Sequence, residues 1–145
     1  MYKLMLAAIW AAAVGAVPGL AAEVPRSIAG FTLGRPIESV AGRVIMETAL
    51  PVRYMENLHE VEILQTQGFK SGLIAYGTCR EPRSILRIKL KYEDGRIEFF
   101  EELLRRFKSR FGDPTEYQGD PFRVFISWKW SFSDAHANRI SLTLQ

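Results

Sequence analysis

Over residues 84–92 hydrophobic and polar positions alternate, strictly so from Leu86 onward. Leu86, Ile88, Leu90 and Tyr92 fall on one face, and Arg87, Lys89 and Lys91 on the other. A period of two predicts a strand in a sheet covered on one side only. Glu93-Asp94-Gly95 supplies a turn, after which the period lengthens. Over 96–111, Ile97, Phe100, Leu103, Leu104, Phe107 and Phe111 recur at helical steps and gather within about a third of the circumference. Glu101 and Glu102 precede Arg105 and Arg106 by four residues, the favoured order of such pairs. Acids lead and bases follow, as the helix dipole prefers. Gly112 offers a left-handed stop, and Asp113-Pro114 forbids continuation. The pattern predicts a helix laid on a sheet.

The flanking segments extend this picture. Over 123–133, Val124, Ile126, Trp128, Trp130 and Phe132 alternate with Ser127, Lys129, Ser131 and Ser133, joined on that face by Phe125. A polar loop at 134–138 follows, and Ile140, Leu142 and Leu144 alternate again, which predicts a hairpin. Upstream, Gly30-Phe31-Thr32-Leu33-Gly34 reads as a short extended segment. Ile37, Val40, Ala41, Val44 and Ile45 then repeat at helical spacing behind Pro36, predicting a helix over 36–46 that Gly42 weakens and Pro51 closes off. Strands are expected over 53–65 and 72–79. No repeat, low-complexity tract or linker interrupts residues 23–145. The expectation is one α+β domain, a mainly antiparallel sheet of about five to six strands with two helices packed on one face.

Residues 1–22 differ from everything after them. Lys3 is the one charge, 4–17 is apolar, and Pro18 and Gly19 break any helix before small residues at Ala21 and Ala22. This is the layout of a secretory signal peptide cleaved after Ala21 or Ala22, which places the protein in the periplasm or outside the cell. An uncleaved anchor is the competing reading, because no charge occurs over 4–22. The absence of a nearby cysteine, of paired arginines and of an Arg/Ser-rich stretch argues against lipoprotein, twin-arginine and organelle signals.

Setting residues 1–22 aside changes the charge balance little. It leaves 18 Lys+Arg against 16 Asp+Glu, a formal net charge of +2. Such a chain lacks the basic excess that steers a protein to nucleic acid, and no nucleic-acid partner is expected. About 123 residues suit one core, and Cys79 is the sole cysteine, so packing rather than an internal disulfide must hold the fold.

Candidate chemistry is sparse. Cys79 with His59 or His136 has the makings of a thiol site, but no cysteine-hydrolase signature surrounds it. A buried structural role, or pairing with another molecule, are the competing readings. His59-Glu60-Val61-Glu62 suggests a metal cluster, yet on a strand Glu60 and Glu62 share one face and His59 the other. The plainer reading pairs Glu60 and Glu62 across the sheet with Arg87, Lys89 or Lys91. No metal site and no cofactor are expected. Arg105, Arg106, Lys108 and Arg110 form a basic run that Glu98, Glu101 and Glu102 balance. Trp128 and Trp130 share a face with Val124 and Ile126, which suits a core better than a stacking platform.

The succession of Gly30–Gly34, a helix, strands, a helix ending Arg110-Phe111-Gly112-Asp113-Pro114 and a Trp-bearing strand resembles small exported bacterial proteins of unknown function. That resemblance implies a periplasmic setting and a sheet packed with helices, and no site residues. Two functional classes follow. One is a non-enzymatic envelope module binding an envelope protein or an anionic surface component, with the 112–122 loop as one place to present a surface. The other is an enzyme whose site is assembled around Cys79 and a histidine.

Overall fold

Three antiparallel sheets and two helical segments organise residues 23–145, which the computed structural model describes. The leader expected over 1–22, with both of its expected cleavage positions, lies outside the described residues. The chain begins with a small hairpin, β1 (Ser27–Ile28) and β2 (Phe31–Thr32). Its turn places Ala29 and Gly30 at φ 50° and 79°, the left-handed pair that a tight hairpin needs. Glycine suits the second position because its φ is +79°, and an added Cβ would also displace the Arg43 guanidinium. That guanidinium sits 4.4 Å from the Phe31 ring centre and donates to the Ala29 carbonyl at 2.6 Å.

The helix expected over 36–46 is corrected. Ile37–Arg43 forms 3-10 turns joined across a kink at Val40, and a strand starts at Val44. Tertiary pairing wins over helical spacing here, since Val44 and Ile45 pair with Ile63 and Glu62. Four strands follow as a meander: β3 (Val44–Val52), β4 (Met55–Ile63), β5 (Phe69–Gly77) and β6 (Ile85–Tyr92). Pro51 therefore lies inside β3, where the strand is at the sheet edge and a missing N–H is tolerated.

The α1 helix (Ile97–Phe111) leads to a second sheet of β7 (Glu116–Tyr117), β8 (Trp128–Ser133) and β9 (Arg139–Leu144). The α+β class and the antiparallel pairing stand as expected. The single sheet of five to six strands does not: the described strands divide into sheets of two, four and three. The strand expected over 123–133 begins at Trp128, and the 112–122 loop contains the short strand β7.

One face of the four-stranded sheet carries the main core. Phe31 and Ile37 from the N-terminal cover meet Val61, Ile74 and Ile85, all fully buried. The 34–37 segment is stitched along the start of β6, with Gly34 N–H donating to the Ile85 carbonyl and Ile85 N–H to that of Arg35, each at 2.8 Å. Gly72 on β5 lets Ile63 and Leu90 close over the sheet. An added Cβ would lie 2.8 Å from Ile63 Cδ1 and 2.5 Å from Leu90 Cδ2.

Alternation over 84–92 survives with one correction. A register shift between Ala75 and Tyr76 pairs Tyr76 with Ile85, so Ile85 is buried and Leu86 is turned out, 59 % exposed. On the opposite face Glu60, Ala75 and Arg87 lie side by side on β4, β5 and β6. Arg87 donates to Glu60 across the intervening methyl, and Ala75 is fully covered. The expected charge ladder thus forms in its Glu60–Arg87 rung.

Candidate functional site

Helix α1 is fastened at both ends. Its C-terminal half meets the second sheet through aromatic edges, Phe107 against Trp130 (5.9 Å between ring centres) and Phe111 against Phe132 (5.7 Å). Trp130, 1 % exposed, also donates its indole N–H to the Gly112 carbonyl at 2.9 Å. The start of the helix is pinned differently. Asp94 accepts the Arg96 backbone N–H at 3.0 Å and its guanidinium at 2.6 Å. The guanidinium, then the backbone N–H, hold the Asp94 carboxyl at about 2, below its ordinary 3.8.

Between these fastenings the apolar stripe of α1 is only partly covered; no residue of the helix is buried. It faces the far half of the four-stranded sheet across an open groove of about 960 Å³. Phe99, Phe100 and Leu103 of α1, Phe69 and Tyr92 of the sheet, and Leu144 of β9 supply its apolar lining. Tyr92 organises the wall, its ring 4.8 Å from Phe69 and 5.2 Å from Phe99. Burial pushes its phenol pKa up. Cationic Lys70, Lys89, Lys91 and Arg96 also line the groove, against anionic Glu62 and Asp94. Arg96 and Asp94 pair with each other, whereas the three lysines make no ion pair among the described residues.

Phe125 lines the groove as well, and it belongs to a stiff loop. The Asp120 carboxylate accepts the backbone N–H of Phe125 and that of Phe122 (2.8 Å), which together with the Val124 N–H lower its pKa. The Asp120 N–H in turn donates to the Phe125 carbonyl at 2.9 Å. Tyr117 braces the loop by donating its hydroxyl to the Asp120 carbonyl at 3.0 Å, crossing Gly119 so closely that no side chain fits there. Arg123 takes a left-handed φ of 57°, and the turn leaves Phe122 and Val124 88 % and 90 % exposed. The core place expected for Val124 is thus corrected. Trp130 does enter a core, and Trp128 packs on Tyr117 at 4.7 Å.

The sequence-derived candidates lie elsewhere. Cys79 is exposed in the β5–β6 loop, which overturns the expectation that it is buried. His136 is exposed in the β8–β9 loop. His59 sits in β4, stacked on Tyr76 at 6.1 Å, with a buried Nδ1 that has no hydrogen-bond partner. The three occupy different elements. Among the described residues no group of three or more His, Cys, Asp or Glu side chains is placed to hold a metal ion. Of the helix pairs, Glu102–Arg106 forms and Glu102 also reaches Arg105 at 3.9 Å.

The groove escaped sequence reasoning because the stripe on α1 announces burial, not what buries it. Val124 and Phe125 lie in the segment where alternation predicts a strand, and Phe122 adjoins it, so the sequence pattern points away from an exposed loop. No protein-family model, curated protein or solved structure matches this chain. No helix of the described residues is long and apolar enough to cross a membrane.

Proposed function

We propose that this protein is exported, by a leader cleaved after Ala21 or Ala22, and that residues 23–145 act as a non-enzymatic interaction module of the cell envelope. The carrying observation is the open groove under α1, an amphipathic helix with no buried residue beside a loop that holds Phe122 and Val124 in solvent. Exposed large apolar groups on a stiff loop cost solubility and stabilise nothing in the isolated domain, which is the usual mark of a binding surface. The cationic bias of the groove favours an acidic or anionic envelope component.

The test is capture of envelope components on the tagged, exported protein, run beside the Phe122→Asp/Val124→Asp variant. Both side chains are exposed, so the variant keeps its far-UV circular dichroism. A component retained by the parent and lost from the variant supports the module. Equal retention by both, or retention of nothing, defeats it.

A further inference from the structure

We propose that the outer edge of β6 binds an extended segment of a partner protein, one that alternates acidic and apolar residues, as a fifth strand of the four-stranded sheet. The inference rests on the reading of this protein as an interaction module and names the partner's chemistry. β6 closes one side of the sheet, and only its start is paired there. Gly34 N–H and the Arg35 carbonyl engage Ile85, and Ile37 N–H donates to the Arg83 carbonyl at 2.9 Å. The covering segment then turns away at Gly34, φ 81°. From Leu86 to Tyr92 no backbone group on that side has a hydrogen-bond partner among the described residues. Four successive residues of this edge, Lys89–Tyr92, line the groove under α1, so the row of donors and acceptors faces open space.

The alternation of β6 states what such a strand must look like. Register is unbroken from Arg87, opposite Ala75, to Lys91, opposite Ser71. Arg87, Lys89 and Lys91 stand on one face of the sheet, and Ile88, Leu90 and Tyr92 on the other. A strand laid alongside meets the cations with every second side chain. The side chains between them join the apolar face, where Tyr92 touches Phe99 (5.2 Å between ring centres) and no residue of α1 is buried. Glu60 pairs with Arg87, which leaves Lys89 and Lys91 without an ion pair among the described residues. Glu62 shares their face across Leu73 and forms no ion pair with Lys89. An acidic residue opposite each lysine supplies the missing partner, and cross-strand pairs of opposite charge are stabilising.

Charge also excludes the simplest occupant, a second copy paired edge to edge. Two β6 strands paired antiparallel would set Arg87, Lys89 and Lys91 against the same residues of the copy, and like charges directly opposite are destabilising. A parallel pair would turn the cations of one strand onto the apolar face of the other. Basic residues on an outer strand ordinarily block such self-pairing; the same residues admit an acidic strand. β3, the other outer strand of this sheet, offers no such site, because Pro51 interrupts its donors and its register shifts twice. In strand addition the main-chain hydrogen bonds give affinity and alternate side chains give specificity. The edge of β6 presents both.

The exported protein is titrated at low salt with a fluorescein-labelled peptide of four Glu-Val repeats, read by fluorescence polarisation. A peptide of the same composition, with its glutamates and valines in separate blocks, should bind roughly tenfold more weakly or not at all. N-methylation at every Glu, or at every Val, gives two further peptides that keep charge and side chains. The set whose N–H groups face β6 should lose roughly tenfold or more in affinity, and the other set little. Lys89→Glu/Lys91→Glu, on exposed side chains, should release the Glu-Val peptide and take up its Lys-Val counterpart. If that variant fails to fold, the N-methylated pair on the parent protein still decides. Equal binding of the two N-methylated peptides, equal binding of alternating and blocked peptides, or no binding at all overturns the proposal. If the peptide fails while an envelope component is still lost with Phe122→Asp/Val124→Asp, the partner assignment falls and the module stands. If the peptide behaves as expected while the capture assay is negative, the edge site stands and the Phe122–Val124 surface falls. If both assays are negative, both fall.

Discussion

Trp130 is the largest fully buried side chain among the described residues. It is 1 % exposed, touches Phe107 and satisfies its own indole N–H on Gly112. Trp130→Ala should cost about 3–5 kcal/mol, read as a lower urea midpoint. Gly72 poses the opposite problem, since any Cβ meets Leu90 and Ile63. Gly72→Ala should cost roughly 1–3 kcal/mol through overpacking, without loss of a single hydrogen bond. Three aspartates, together with Glu38, are held below their ordinary values and set the acid limit. Asp134 is held down first by the Asn138 side-chain amide, and also by Arg26 and backbone N–H groups. Asp120 is lowered by loop N–H groups and Asp94 by Arg96. The aspartates' folded values lie below their unfolded ones, so their contribution is complete above about pH 4 and fades as pH falls from 3.8 towards 2. The thermal midpoint should therefore drop over that window, and Asp134→Asn should flatten the drop.

At the scale of elements, α1 behaves as two halves. The C-terminal half is docked on β8, and the N-terminal half lines the groove. Phe107→Ala should therefore destabilise by about 2 kcal/mol, while Ile97→Ala, at a position 53 % exposed, should stay within about 0.5 kcal/mol. Hydrogen exchange should run faster in the first turns of the helix than in the last. β9 is the other sensitive element. Ile140 and Leu144 are buried and all six of its residues, Arg139–Leu144, pair with β8. Removing residues 140–145 should expose Trp130 to solvent, seen as a red shift of its fluorescence, and unfold the second sheet. Periodicity located β4, β6, α1 and β9 closely, because each keeps a regular apolar face. It mistook 36–46, where Val44 and Ile45 serve β3, and 123–127, where Asp120 curls the chain into a loop.

At the scale of the whole molecule, the separation of the four-stranded from the three-stranded sheet is what creates a candidate site. A continuous sheet of five or six strands would have given α1 one platform and closed its apolar stripe. Instead the main core gathers under the N-terminal hairpin and the 3-10 turns, and the aromatic contacts of α1 draw its far end to the second sheet. The groove is the space left between them. The amino-acid sequence alone determined the α+β class, the strand and helix at 84–111, the C-terminal hairpin and the absence of any internal disulfide. These follow from local geometry, because side-chain period reports backbone shape wherever one face is buried, and from the count of cysteines. Tertiary structure alone decided that Leu86 turns outward, that Cys79 is exposed, that the sheets separate and that a groove opens beneath α1. Those outcomes depend on register and on which distant surfaces meet. A linear pattern says that a face must be covered; it does not say by what.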